Sequence, residues 1–121
     1  MKREDEKEGA GHRHLRLQGL IFEELRALLR DDISDPALTN VRVTAVVLSV
    51  DYRHARIHYA LGLSGDSHLA EARTERALVR ATAFFRARLS DALDVKRVPD
   101  LRFVFDGVAP ADAFGDEESG D

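Results

Sequence analysis

"VRVTAVVLSVDYRHARIHYALG", residues 41–62, decides the fold class of this chain. Its first ten residues are crowded with β-branched side chains, which suit an extended, pleated backbone. Its last eight alternate: Ile57, Tyr59 and Leu61 fall on one side, Arg56 and His58 on the other. "DYRH" (51–54) supplies a polar reversal between them. The segment therefore predicts a β-hairpin with one buried side, and a buried side needs a second layer to cover it.

The flanking sequence supplies that layer. From about His14 to Arg30, residues Leu17, Leu20, Ile21, Leu25, Leu28 and Leu29 share one broad helical face, opposite Gly19, Glu23, Arg26 and Arg30. "DISDP" (32–36) ends this helix, because proline disfavours the α conformation in the residue before it. Beyond the hairpin, Asp66 or Ser67 can cap a second helical stretch that runs to about Leu93. Pro99 leads into a last strand, "DLRFVFD" (100–106), in which Leu101, Phe103 and Phe105 alternate with Arg102 and Val104. The expected class is α+β, with helices on one face of a three-stranded sheet.

The 121 residues suit one domain with a modest core. There is no cysteine, which excludes a disulfide framework, a thiol nucleophile and thiolate metal ligation. No stretch has the length and apolarity of a membrane span, and "MKREDEKEGAGHRH" is too polar for a secretory signal, so a cytoplasmic protein without membrane contact is expected. Residues 1–13 and 107–121 are rich in charge and small residues, and both are expected to be disordered tails around a domain at 14–106.

The formal charge is −4, from 18 basic and 22 acidic residues. The segment 107–121 holds five acids and no base, and 1–11 has a net charge of −1. Residues 12–106 therefore carry 15 bases and 13 acids, and all the bases but Lys96 are arginines. Five of them lie in "RTERALVRATAFFRARL", residues 73–89. On a continuous helix with Arg73 at zero, Arg76, Arg80 and Arg88 fall at about 300°, 340° and 60°. Leu78, Phe85 and Leu89 fall at about 120–160°, and Arg86 lies outside the basic row. Two readings compete: a solvated helix face, or the footprint of a polyanion. A row of like charges is mildly self-repelling unless anions lie against it, and the planar arginine fork matches phosphate oxygens. Phe84 would point among the arginines, so either its ring is exposed for stacking or the helix breaks near "ATA" (81–83) and resets its phase.

Three segments, in order, resemble the ribosome-binding factor A family of bacterial small-subunit maturation factors. "RLQGLIFEELRALLRDDISDPAL" (16–38) is similar to the family's first helix and its Asp-Pro exit at Asp35-Pro36. "VTAVVLSVDYRHARIHYALG" (43–62) is similar to its hairpin, with Ser49 and Asp51 at the turn. "ATAFFRARLSDALDVKRVPDLRFVFD" (81–106) resembles its broken helix pair, its Arg97-Val98-Pro99 lead-in and its Phe-rich strand ending at Asp106. The resemblance spans roughly residues 14–106.

It implies a single type II KH-like domain of order α-β-β-α-α-β. It also implies a monomeric, cofactor-free, non-catalytic protein that binds the 30S subunit and 16S rRNA during late maturation and rRNA processing, with a role in cold adaptation. KH domains clamp backbone nucleotides with a GxxG loop between two helices, and this family carries an Ala-x-Gly kink there. The matching residues are Ala81, Thr82 and Ala83, so the glycine is absent and the break is expected to be shallower. "GLSG" (62–65) has the GxxG letters but follows a strand, the wrong junction for a clamp, and reads as a flexible connection. By the resemblance, the RNA-facing residues are Arg73, Arg76, Arg80, Arg86, Arg88, Lys96 and Arg97. Arg56, His58 and Arg102 on the outer sheet face form a weaker second set.

Catalytic patterns do not assemble. His54 and His58 span a turn and a strand with no third ligand at suitable spacing. Ser49, Asp51 and His54 lie in one hairpin without a nucleophile elbow. No Walker or dinucleotide-binding fingerprint occurs. Asp31, Asp32 and Asp35 read as solvated acids at a helix exit, and no metal site is expected. The alternative function is a non-catalytic protein-binding module whose arginines meet an acidic partner.

Overall fold

The computed structural model describes the backbone of residues 2–62 and 67–109, and the side chains of 11–62 and 69–107. Helix α1 spans Lys2–Ala27 and ends in a single π-helical turn, Leu28–Asp32. A 3-10 turn at Pro36–Leu38 leads into β1, Val41–Leu48. Strand β2 is His54–Gly62, helix α2 is Ser67–Ala92, and strand β3 is Asp100–Ala109. The sheet order is β1-β2-β3, with β1 and β2 antiparallel and β2 and β3 parallel. A parallel neighbour needs a crossover, and α2 is that crossover.

The hairpin keeps its apolar residues inward by means of an irregularity. Strict alternation would send Val43 and Val46 to opposite faces. The register between β1 and β2 shifts at Val43/Ala45, and both valines are buried. The turn is fastened by its own side chains. Ser49 Oγ donates to Asp51 at 2.7 Å, and the same carboxylate accepts from Arg53 N at 3.0 Å. These bonds, Ser49 first, hold the Asp51 carboxyl below the usual carboxylate range. Tyr52 adopts a left-handed φ of 64°, a conformation that a non-glycine residue takes only when its surroundings hold it.

The core lies between sheet and helices. Ile21, Leu25 and Leu28 from the first helical segment and Leu78, Phe85 and Leu89 from α2 close over Ile57, Tyr59, Val43 and Val46. Phe85 packs on Phe103 at 5.8 Å, and Tyr59 meets Phe103 edge-on and Phe105 at a tilt. Each large side chain buried here stabilises the fold by about 1.5–3 kcal/mol. The α+β layering agrees with the sequence reading, and the KH-like description holds.

Four details correct that reading. First, α1 begins at Lys2, so residues expected as a disordered tail lie in the helix. Their Lys, Arg, Glu and Ala content favours helix. Second, the helix pair is one helix, and the order is α-β-β-α-β. Two alanines at positions 81 and 83 leave no residue that prefers to leave the α conformation. Thr82 Oγ1 donates back to the Leu78 carbonyl at 2.9 Å, a local contact that a mid-helix threonine makes without leaving the helix. Third, β3 runs on to Ala109, so residues 107–109 belong to the sheet rather than to a tail. Gly107, at φ 118°, accommodates the extra residue that shifts the β2–β3 register beyond Tyr59. Fourth, Arg86, which the resemblance counted among the RNA-facing residues, turns its guanidinium to the Val98 carbonyl, as described below. Residues 110–121, Asp66 as a helix cap and most of "GLSG" lie outside the described residues, and the Ser67 side chain is likewise not described.

Candidate nucleic-acid interface

Continuity of α2 fixes the arrangement of its arginines. With no phase reset, the buried stripe of Ala77, Leu78, Phe85 and Leu89 leaves Arg73, Arg76 and Arg80 exposed on the far side. Phe84 and Phe85 then diverge, with Phe85 fully buried and Phe84 37% exposed. The guanidinium of Arg88 lies over the Phe84 ring at 5.5 Å, a cation–π contact worth about 0.5–1 kcal/mol at an exposed site. An exposed ring therefore sits among the arginines, and the break near 81–83 that the resemblance favours as the reading of Phe84 does not occur.

The acids at the exit of α1 face this row. Arg88 reaches Asp32 at 2.7 Å and Arg80 reaches Asp35 at 3.9 Å. Asp35 also caps the turn that Pro36 starts, where its Oδ1 accepts from Ala37 N at 2.9 Å. Both ion pairs are partly solvated and contribute about 0–1 kcal/mol each. They draw the segment 32–35 against the middle of α2, bounding a depression of about 390 Å³ lined by Ile33, Leu38, Ala81 and Phe84 as well. Arg73 and Arg76 have no ion-pair partner among the described residues.

Arg86 is placed differently from its neighbours. Its terminal nitrogen donates to the Val98 carbonyl at 2.9 Å and lies 3.6 Å from Asp100, and its buried Nε has no partner. It ties α2 to the start of β3. Lys96 and Arg97 are exposed on the connection between them.

On the other side of the sheet, Arg56 and Arg102 are exposed and directly paired in the β2–β3 register. His58 is partly buried, and its Nδ1 donates to Asp106 Oδ1 at 3.1 Å. Thr44 Oγ1 donates to the other oxygen at 3.0 Å. The His58 bond, then the Thr44 bond, hold the Asp106 carboxyl below its ordinary range. Among the described residues no cluster of three His, Cys, Asp or Glu side chains is placed to hold a metal ion, and no helix is long and apolar enough to cross a membrane.

Two residues that the sequence reading passed over brace the hairpin from α1. His14 Nε2 donates to the carbonyls of Leu48 and Ser49 at 2.7 and 3.1 Å, and Gln18 Oε1 accepts from Leu48 N at 2.9 Å. They satisfy the open edge of β1 where it meets the turn. Their spacing of four on one helix was the available signal, but nothing local said which edge they would meet.

A family profile for Ribosome-binding factor A matches residues 13–113. Ribosome-binding factor A of Heliobacterium modesticaldum is 43% identical over 97 residues, covering 80% of this chain and 78% of the relative. The crystal structure of the Thermus thermophilus protein of that name superposes with a TM-score of 0.66 at 25% identity, over 75% of this chain and 92% of the other. A T. thermophilus ribosome-binding factor A homology model, fitted into a cryo-EM map of a complex of that protein with 30S, superposes at 0.58 with 25% identity, over 73% of this chain and 89% of the other. The helical row, the α+β layering and these likenesses agree: the chain belongs to the ribosome-binding factor A family.

Proposed function

We propose that this protein binds the small ribosomal subunit through 16S rRNA, as a non-catalytic monomeric factor acting in the cytoplasm during late 30S maturation and rRNA processing, with a part in cold adaptation. The observation that carries this reading is the row Arg73, Arg76 and Arg80 on the solvent side of one unbroken helix, beside the half-exposed Phe84. Guanidinium forks meet phosphate oxygens, and an exposed ring offers a stacking surface. Lys96 and Arg97 extend the basic surface toward β3. Arg88 joins it by exchanging Asp32 for a phosphate, and Arg86 supports it from behind. The family's association with the 30S particle, visible in the T. thermophilus relative, supports the choice of partner.

Co-sedimentation with 30S subunits, 50S subunits and 70S ribosomes at low and moderate salt tests it. Selective travel with 30S is expected, with a loss of tenfold or more (roughly, for two charge-assisted contacts) in the Arg76→Glu/Arg80→Glu variant. A folded protein that travels with no particle overturns the reading.

One observation favours a second reading. Arg80 and Arg88 already pair with carboxylates, so an acidic protein segment is chemically acceptable to the same face. RNA binding predicts a log–log salt slope of about −0.7 to −0.9 per phosphate and sensitivity to nuclease, whereas a protein partner predicts insensitivity to nuclease.

A further inference from the structure

Helices cover one face of the sheet, and the other is open to solvent. Alternation along β2 and β3 sends Ala55, Ile57, Leu101 and Phe103 toward the helices, and sends Arg56 and Arg102 outward. The register places these two arginines directly opposite one another, on strands about 4.8 Å apart. Like charges in that position repel, and neither has an ion-pair partner among the described residues. Val47, Ser49 and His54 complete a shallow depression of about 390 Å³ around them. Its apolar member, Val47, is 39% exposed. Two acids border the depression: Asp100 lies 3.6 Å from Arg86 and 4.0 Å from His54, and Asp51 accepts from Ser49 Oγ at 2.7 Å and from Arg53 N at 3.0 Å. Asp106 at the far end is held by His58 and Thr44.

We propose that Arg56 and Arg102 form a second phosphate site on the outer face of the sheet, which takes the backbone of a single-stranded RNA segment on the side of the domain opposite the α2 arginines. This rests on the RNA-binding reading above and adds to it a second point of attachment. The tetrahedral oxygens of a phosphodiester diverge and can accept from forks on two strands. A planar carboxylate satisfies one fork side-on. Val47 offers an apolar patch for the adjoining sugar or base. With forks on both layers, the domain holds two RNA segments apart across its thickness.

The test titrates the full chain with a 12-nucleotide oligouridylate, following backbone amide shifts by NMR, and in parallel with an oligoglutamate of the same charge. Saturable shifts at His54, Arg56 and Arg102 are expected with the RNA, and much weaker ones with oligoglutamate. The Arg56→Glu/Arg102→Glu variant should bind about tenfold more weakly and lose about 0.7 from its log–log salt slope, one phosphate's worth. Arg56→Gln/Arg102→Gln carries the same prediction with a smaller loss, and is the variant to read if the glutamates lower thermal stability. Unchanged affinity and slope in both variants, or shifts confined to α2, overturn the second site while leaving the α2 interface standing. Equal shifts with oligoglutamate overturn it in favour of an acidic protein segment. A wild-type chain that binds neither 30S nor oligouridylate defeats the RNA reading as a whole.

Discussion

The layer between sheet and helices and the two outer surfaces of this domain are built from the same elements by opposite rules. On the inner side of α2, Leu78, Phe85 and Leu89 are fully buried. On its outer side, arginines share a row with a half-exposed phenylalanine and solvated aspartates. The sheet repeats the contrast, with Ile57 and Tyr59 inward and Arg56 and Arg102 outward. Stability therefore resides in the shared interior, and the outer faces can change charge at small cost to the fold. Such a division lets recognition residues vary without unfolding the protein.

The largest effect that sharpens this contrast is expected at Phe85. Truncation to alanine removes a fully buried ring that packs on Phe103 and should cost about 3–5 kcal/mol in urea denaturation. Arg86→Ala tests the one arginine of the segment that belongs to the interior side. Loss of its bond to the Val98 carbonyl should cost about 1–2 kcal/mol. Arg76→Ala, on the outer side, should stay within about 0.5 kcal/mol, and equal effects at the two positions would break the division.

Ala83→Gly places at the middle of α2 the glycine that the family resemblance implies there. A mid-helix glycine costs about 1 kcal/mol relative to alanine, so a matching fall in stability is expected, with a bend at 81–83 visible in amide shifts. The smallest effect should come from Asp106. Its folded pKa is depressed by His58 and Thr44, so its contribution is present above the ordinary carboxylate value. It fades as pH falls below about 4 toward the lower folded value. Asp106→Asn should therefore flatten the acid limb of the stability profile slightly, while leaving neutral-pH 30S binding unchanged. A steeper acid limb in the variant would contradict the assigned hydrogen bonds.

Much of the architecture was legible from local pattern. The hairpin, the inward residues of β2 and β3, and the buried stripe of α2 all follow from periods of 2 and 3.6 residues. The site was legible in part: angular placement separated Arg73, Arg76, Arg80 and Arg88 from the apolar stripe, and set Arg86 apart. The expected break at 81–83 came from family likeness rather than from the residues. Ala-Thr-Ala itself favours helix, and the structure follows the residues. The start of α1 was missed because a charged stretch without large apolar groups looks unable to offset its ordering entropy, although its propensities favour helix.

Outside the irregularity in β1, the sequence by itself determined which side chains turn inward and which turn outward, because that choice depends on the repeat of the backbone within one element. Only the tertiary structure decided which elements meet. Asp32 faces Arg88, Arg86 holds the Val98 carbonyl, His14 braces the carbonyls of Leu48 and Ser49, and Arg56 stands opposite Arg102. Each of these joins residues from different elements, brought together by burial of the shared core, and no local period encodes the register in which two elements come to rest.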